Sequence, residues 1–279
     1  MLANPVAAQA PNQLGPLRVE VGEEVRAGRT PRIELRLSTV AEHGCSDVGI
    51  RANVRRHTDT VVVQANGLVW SGFWCDNAIG PARFTAPLDL AFGRYVLAVN
   101  ANERTDFFDL QVSNDRIQLR PAMRVPIVTI ADTTVFWRAP RYSFALSCGT
   151  YKYGPELCDD LGAWIERQRG VSRFFFTSGG RLPYRIRSPT QYEETRYYTY
   201  RSDAVLPILR GCFPKIERQV KRAVGIMILL QTQNGELMKA QSTRSFDELH
   251  VEPPHRVTDG AESCGSADPS PQRESYNAR

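Results

Sequence analysis

The chain has 279 residues, 42% of them hydrophobic and 23% charged, with 18 prolines and 20 glycines. That composition excludes a fibrous, collagen-like or wholly disordered chain, and the length predicts two domains. The formal charge is +5, from 35 basic and 30 acidic residues. By segment, residues 17–124 carry 14 basic and 13 acidic side chains, 125–258 carry 19 and 13, and 259–279 carry 2 and 4. The excess is arginine scattered along the second half, without the stripe that a nucleic-acid footprint needs, so no nucleic-acid partner is expected. No apolar run reaches the 18 residues of a membrane span.

The chain opens with Met1-Leu-Ala-Asn-Pro-Val-Ala-Ala-Gln-Ala10. Ala8-Gln9-Ala10 has the small-x-small form of a signal-peptidase site, so residues 1–16 read as a signal-peptide remnant or a disordered N-terminus. Six cysteines follow: Cys45, Cys75, Cys148, Cys158, Cys212 and Cys264. The number is even and no C-x-x-C pair occurs, which excludes the usual zinc and redox spacings. A Cys45–Cys75 disulfide is expected, with Cys148 bridged to Cys158 or Cys212. Loops of this length gain about 3–4 kcal/mol from closure in the chain-entropy model. Disulfides imply an oxidising compartment, so the protein is expected to be periplasmic or secreted.

Residues 17–119 predict an all-β domain. Period-two alternation marks strands at Leu17–Val21, Arg32–Ser38, Asp47–Arg55, Gly93–Asn100 and Thr105–Ser113. Shorter strands are expected at Thr60–Gln64, Leu68–Trp74 and Ala82–Ala86. Turn signals stand at Ala27-Gly28, Asn66-Gly67, Gly80-Pro81 and Asn102-Glu103. Seven or eight short strands over about a hundred residues predict a two-sheet sandwich. The hairpin from Gly93-Arg-Tyr-Val-Leu-Ala-Val resembles the closing hairpin of immunoglobulin-like modules in exported bacterial proteins, and that resemblance implies an immunoglobulin-like β-sandwich. Trp70 and Trp74 are expected as core anchors.

Residues 120–125 read as a linker, and 126–250 as a small α+β domain. Strands are expected at Pro126–Ile130 and Tyr142–Cys148. Gly154-Pro155 opens a helix whose Leu157, Leu161, Trp164 and Ile165 form one apolar stripe, with Gly170 as its cap. Strands follow at Val171–Thr177, Arg181–Arg187 and Thr195–Tyr200. Helices follow at Asp203–Arg210 and Pro214–Ala223. Val224–Thr232 and Glu236–Gln241 are expected to pair about an Asn234-Gly235 turn. Residues 259–279 are polar and predict a disordered tail.

No P-loop, nucleophile elbow or dinucleotide fingerprint occurs, and no cofactor is expected. Of four histidines, His250 and His255 flank Glu252, but Pro253-Pro254 between them favours a stiff solvated exit over a metal site. No metal site is therefore expected. Asp159-Asp160 and Glu193-Glu194 are adjacent carboxylates that diverge in any regular element, so no catalytic residue is assigned. Eight of ten tyrosines fall in 142–200, interleaved with arginines. Arg181, Arg185 and Arg187 would share one strand face, with Tyr184 opposite and Tyr197, Tyr198 and Arg201 nearby. Tyr and Arg favour recognition surfaces, so these seven residues are the candidate contact for a protein or glycan partner in the cell envelope. The alternatives are an extracytoplasmic enzyme on a glycan or cell-wall substrate, through Asp159, Glu193 or His250, and an accessory subunit peripheral to a membrane complex.

Overall fold

The structure is a computed structural model. It describes residues 14–26, 28–44, 47–70, 78–122, 128–130, 135–150, 156–177, 179–184, 192–201, 204–222 and 225–242. The chain is mostly β-strand with few helices. It divides into two compact units. One comprises Met1–Glu24, Pro31–Ala139 and Phe176–Pro183, the other Val25–Thr30, Pro140–Phe175 and Tyr184–Arg279.

The first unit is a ten-stranded sheet. Its strands are β1 (Leu17–Arg26), β2 (Arg29–His43), β3 (Val48–His57), β4 (Thr60–Trp70), β5 (Gly80–Leu88), β6 (Gly93–Ala101), β7 (Arg104–Val112), β8 (Arg116–Pro121), β9 (Val128–Ile130) and β10 (Val135–Trp137). Their order is β10-β8-β7-β6-β4-β3-β5-β2-β1-β9. The period-two pattern decides which face is buried. Ile33, Leu35 and Leu37 of β2 join Val61 and Val63 of β4, Leu97 and Val99 of β6, and Phe108 and Leu110 of β7 in one apolar cluster. Leu14 is buried in the same cluster, inside the stretch expected to be a remnant or disordered.

The pairing is less divided than a two-sheet sandwich. Among the described residues, the four strands β9-β1-β2-β5 and the six strands from β3 to β10 are joined by one backbone pair, Gly49 with Arg83. At the opposite seam, Phe136 of β10 lies against Gly22 of β1, where an added Cβ would stand 2.6 Å from the ring. Arg138 pairs with Glu23 at 2.7 Å, and Arg181 pairs with Glu20. The five residue steps from Ile130 to Val135 also reach no more than about 18 Å, although β9 and β10 are opposite ends of the strand order. Sheet closure of this kind makes the unit nearly barrel-shaped.

Three sequence expectations change here. Asn66-Gly67 is not a turn: β4 runs through it, Gly67 has φ 137°, and the register with β3 shifts at Arg51/Ala52. The positive φ that suits a turn here serves a bulge. Trp70 is 61% exposed and not a core anchor; Trp74 lies outside the described residues. The 120–125 linker is entered by β8, and Val128–Ile130, expected in the second domain, pairs in parallel with Leu17–Val19. Asn102-Glu103 is the hairpin turn expected, with φ 51° and 64° at the two residues.

The second unit orders its elements as β11 (Ser143–Thr150), α1 (Glu156–Glu166), β12 (Val171–Phe174), β13 (Tyr192–Tyr200), α2 (Val205–Arg222), β14 (Ile226–Thr232) and β15 (Leu237–Gln241). The sheet order is β12-β13-β11-β14-β15, antiparallel throughout. Its first six elements follow the split β-α-β pattern, and β15 adds a fifth strand beside β14. Leu161, Trp164 and Ile165 of α1 and Val205, Leu209, Phe213, Ile216 and Val220 of α2 bury their stripes against Phe144, Leu146, Ile228 and Leu230. α1 ends at Glu166, and Gly170, expected as its cap, instead takes φ 81° in the following turn, where Val171 N–H donates to Gln168 O. The two helices expected at Asp203–Arg210 and Pro214–Ala223 are one, with Pro214 inside it. The continuous stripe on its buried side outweighs the local cost of proline.

A Tyr/Arg cleft and a buried arginine in the second unit

Of the seven residues expected to form a contact face, five are described: Arg181, Tyr184, Tyr197, Tyr198 and Arg201. Tyr198 is fully buried and stacks on Phe144, with centroids 5.2 Å apart. Tyr184 is buried, and its hydroxyl shares a 2.7 Å hydrogen bond with that of Ser143. Tyr197 is half-buried, with ring centroids 5.9 Å from both Phe174 and Tyr184. Arg201 is exposed. Arg181 belongs to the first unit, where its guanidinium pairs with Glu20 and lies 5.6 Å from the Phe136 ring centroid. Arg185 and Arg187 lie outside the described residues. Among the described residues of the expected strand, 181–184, there are isolated bridges at Arg181 and Tyr184, with Pro183, which has no N–H to donate, between them.

Other members of the tyrosine group do meet at an opening. Arg141, Tyr142, Tyr200, Leu206, Pro207, Arg210, Gln233 and Asn234 line an open cleft of about 410 Å³. Tyr142 precedes β11 with φ 55°, a left-handed conformation that a bulky residue rarely holds. Its carbonyl accepts the Tyr200 N–H at 2.8 Å, and the two rings meet edge to face at 5.7 Å. Tyr200 is buried and Tyr142 is 56% exposed, so the pair offers one fixed ring and one reachable ring. Arg210 of α2 reaches Glu236 beyond the β14–β15 turn, Nε to Oε1 at 2.6 Å and a terminal nitrogen to Oε2 at 2.5 Å. The fork raises the Arg210 pKa and lowers that of Glu236. Arg141 makes no ion pair among the described residues. Among the described residues, the cleft walls therefore carry one ion-paired guanidinium and one without an ion pair, beside an exposed ring. Such walls take a carboxylate on Arg141 and a flat or apolar group on Tyr142.

A second cluster lies under α1. The Arg196 side chain is 6% exposed. Its Nε donates to Glu194 Oε1 at 2.6 Å, and a terminal nitrogen donates to Glu194 Oε2 at 3.0 Å and to Asp159 of α1. The Glu194 bond, then the Asp159 bond, hold its pKa above even the usual arginine value, against burial. Gly162 makes room: a Cβ there would stand 2.5 Å from an Arg196 nitrogen and 2.9 Å from the Tyr198 hydroxyl. Burial, reinforced by Glu166, pushes the Tyr198 phenol up to about 12. In sequence Asp159 and Glu194 stand only in adjacent acidic pairs; α1 brings Asp159, and the i, i+2 spacing on β13 brings Glu194, to one guanidinium.

Cys148 and Cys212 are buried and each is disulfide-bonded. Cys45, Cys75, Cys264 and the Cys158 side chain lie outside the described residues, as do His250, His255 and the Glu193 side chain. Among the described residues no group of three His, Cys, Asp or Glu side chains is placed to hold a metal ion. Among them, no helix is long and apolar enough to cross a membrane. No family model matches the sequence, no curated protein matches it, and no solved structure matches it.

Proposed function

We propose that the protein is an exported binding or assembly module of the cell envelope, and that the Tyr142/Arg141 cleft of the second unit contacts a protein partner through an acidic group. The observation that carries this reading is the pairing of an exposed, edge-supported tyrosine with an arginine that has no ion pair among the described residues, at one opening. Recognition surfaces favour these two residue types because each combines large contact area with hydrogen-bonding heads. Export is supported by Ala8-Gln9-Ala10 and by the disulfide-bonded state of Cys148 and Cys212. An immunoglobulin-like reading of the first unit is supported by the one Gly49–Arg83 pair that, among the described residues, joins its two groups of strands. The parallel pairing of β4 with β6 departs from the antiparallel sheets of that class. Asp159 and Glu194 are engaged by Arg196, which weighs against the catalytic alternative built on carboxylates in this unit.

A photo-crosslinking amino acid at Leu206, on the cleft wall, tests the proposal in the envelope of the source cells. A discrete protein adduct is expected, and it disappears in the double variant Arg141→Glu, Tyr142→Ala. An adduct that resists protease and yields to glycan-degrading enzymes replaces the protein partner with a glycan. Equal labelling from the exposed Arg55 position in the first unit overturns the cleft as the contact.

A further inference from the structure

We infer that β15 offers a free strand edge to an extended acidic polypeptide, a second contact surface beyond the cleft. The phase of the β14–β15 ladder places the edge. Thr232 N–H donates to Glu236 O and Ser242 N–H donates to Ile226 O, both at 2.9 Å. Met238 and Ala240, paired with Leu230 and Ile228, therefore turn their backbone groups toward β14. Leu237, Lys239 and Gln241 turn theirs the other way, and β15 ends the strand order. Among the described residues nothing pairs with those outward N–H and C=O groups. All three residues are exposed, Leu237 at 42%. An unpaired edge of this kind is a template for an added strand, whose main chain supplies the hydrogen bonds.

Charge names the strand that fits. Helix α2 packs against β15. By sequence, α2 and residues 234–241 contain six basic residues (Arg210, Lys215, Arg218, Lys221, Arg222 and Lys239) and two acidic ones, Glu217 and Glu236. Both acids are already paired, Glu217 with Lys221 at 2.8 Å and Glu236 with Arg210. Arg218 and Lys239 are exposed and make no ion pair among the described residues. An edge beside such a helix repels a basic strand and attracts an acidic one. The second-copy alternative is weaker, because two β15 edges would bring Lys239 toward a like charge.

The test uses the full-length oxidised protein and the blocked octapeptide (Val-Glu)4, read by residue-resolved amide exchange and fluorescence anisotropy. The peptide is expected to slow exchange at Leu237, Lys239 and Gln241 by about tenfold or more, while Met238 and Ala240 are slow with or without it. Gln241→Pro removes one outward N–H without touching the ladder to β14, and is expected to weaken binding ~3–10-fold relative to Gln241→Ala. Arg141→Glu at the cleft leaves the edge response in place, so failure of the cleft and failure of the edge are separate results. The inference is overturned if (Val-Lys)4 binds as well, or if (Val-Glu)4 binds without protecting the outward amides. Protection already present in the free protein also overturns it: dependence on protein concentration would name a second copy as the occupant, and independence would name residues 243–279.

Discussion

Arg196 and Arg210 stand in the same unit, and each is held by a glutamate through a two-pronged fork. Their side chains are 6% and 51% exposed. Arg196 adds Asp159 as a third anchor and lies beneath a glycine of α1 that leaves no room for a Cβ. Arg210 stands at the rim of a cleft in water, one turn of helix from Leu206 and Pro207. The same chemistry thus serves two ends. Under the helix the guanidinium replaces its lost hydration with protein oxygens and fixes α1 on the sheet. At the rim it remains hydrated and accessible, so its charge contributes to the field that a ligand meets.

Removing the buried member separates the two roles most sharply. Arg196→Ala leaves Asp159 without its cation and Glu194 with only Arg173, 3.7 Å away, and opens a gap under α1. Loss of one partner of a buried pair costs 3–5 kcal/mol where both charges are enclosed; here both carboxylates reach solvent, so about 2–4 kcal/mol is expected. Urea denaturation followed by far-ultraviolet circular dichroism measures it. Arg210→Ala, by the same assay, is expected to change stability little while weakening contacts at the cleft. Equal losses in the two variants would remove the distinction between clamp and rim.

Tyr198 extends the contrast to alkaline pH. Its phenol is buried and raised to about 12 in the folded protein, against about 10 when unfolded. Below pH 10 both states keep the proton and pH has no leverage. Between pH 10 and 12 the unfolded chain loses its proton first, so the fold weakens as pH rises. The span of two pH units corresponds to about 2–3 kcal/mol. Tyr198→Phe is expected to flatten this part of the stability curve. An unchanged slope would show that other groups carry it. Gly162→Ala tests the same packing from the helix side. In an exposed helix the change stabilises by roughly 1 kcal/mol, but here the methyl meets Arg196 and Tyr198, and a net loss of about 1–2 kcal/mol is expected in thermal unfolding.

What was readable beforehand follows the range of the interactions. Strands of period two, the α1 stripe, and the Asn234-Gly235 hairpin are local, and the sequence marks each within a few residues. The ring closure of the first sheet is not local. It depends on Phe136 meeting Gly22 and Arg138 meeting Glu23, more than a hundred residues apart, and neither pair carries a pattern that distinguishes it from ordinary surface and core positions. The candidate contact shows the same limit. Clustering of tyrosine was visible, but chain proximity did not reveal which rings face solvent. Sheet register buries Tyr198, Tyr142 is exposed where the chain turns into β11, and α2 brings Arg210 to the same opening.

The smallest effect belongs to Glu236, and its sign distinguishes a hydrated ion pair from a buried one. Arg210 lowers the carboxyl pKa in the folded protein, below the ordinary value of about 4.5. A depressed acid contributes stability that is fully present above the unfolded pKa. That contribution drains away as pH falls through the ordinary carboxylate range toward the folded value, where both states are protonated. Wild type minus Glu236→Gln should therefore be a small constant from neutral pH down to about pH 5, and should shrink below it. Because the pair is exposed, raising salt from about 0.05 to 0.5 M should shrink the constant too. The Arg196 cluster, enclosed under α1, should keep most of its contribution at the same salt. If both respond alike, solvent reaches Arg196 freely and the clamp is only another surface pair.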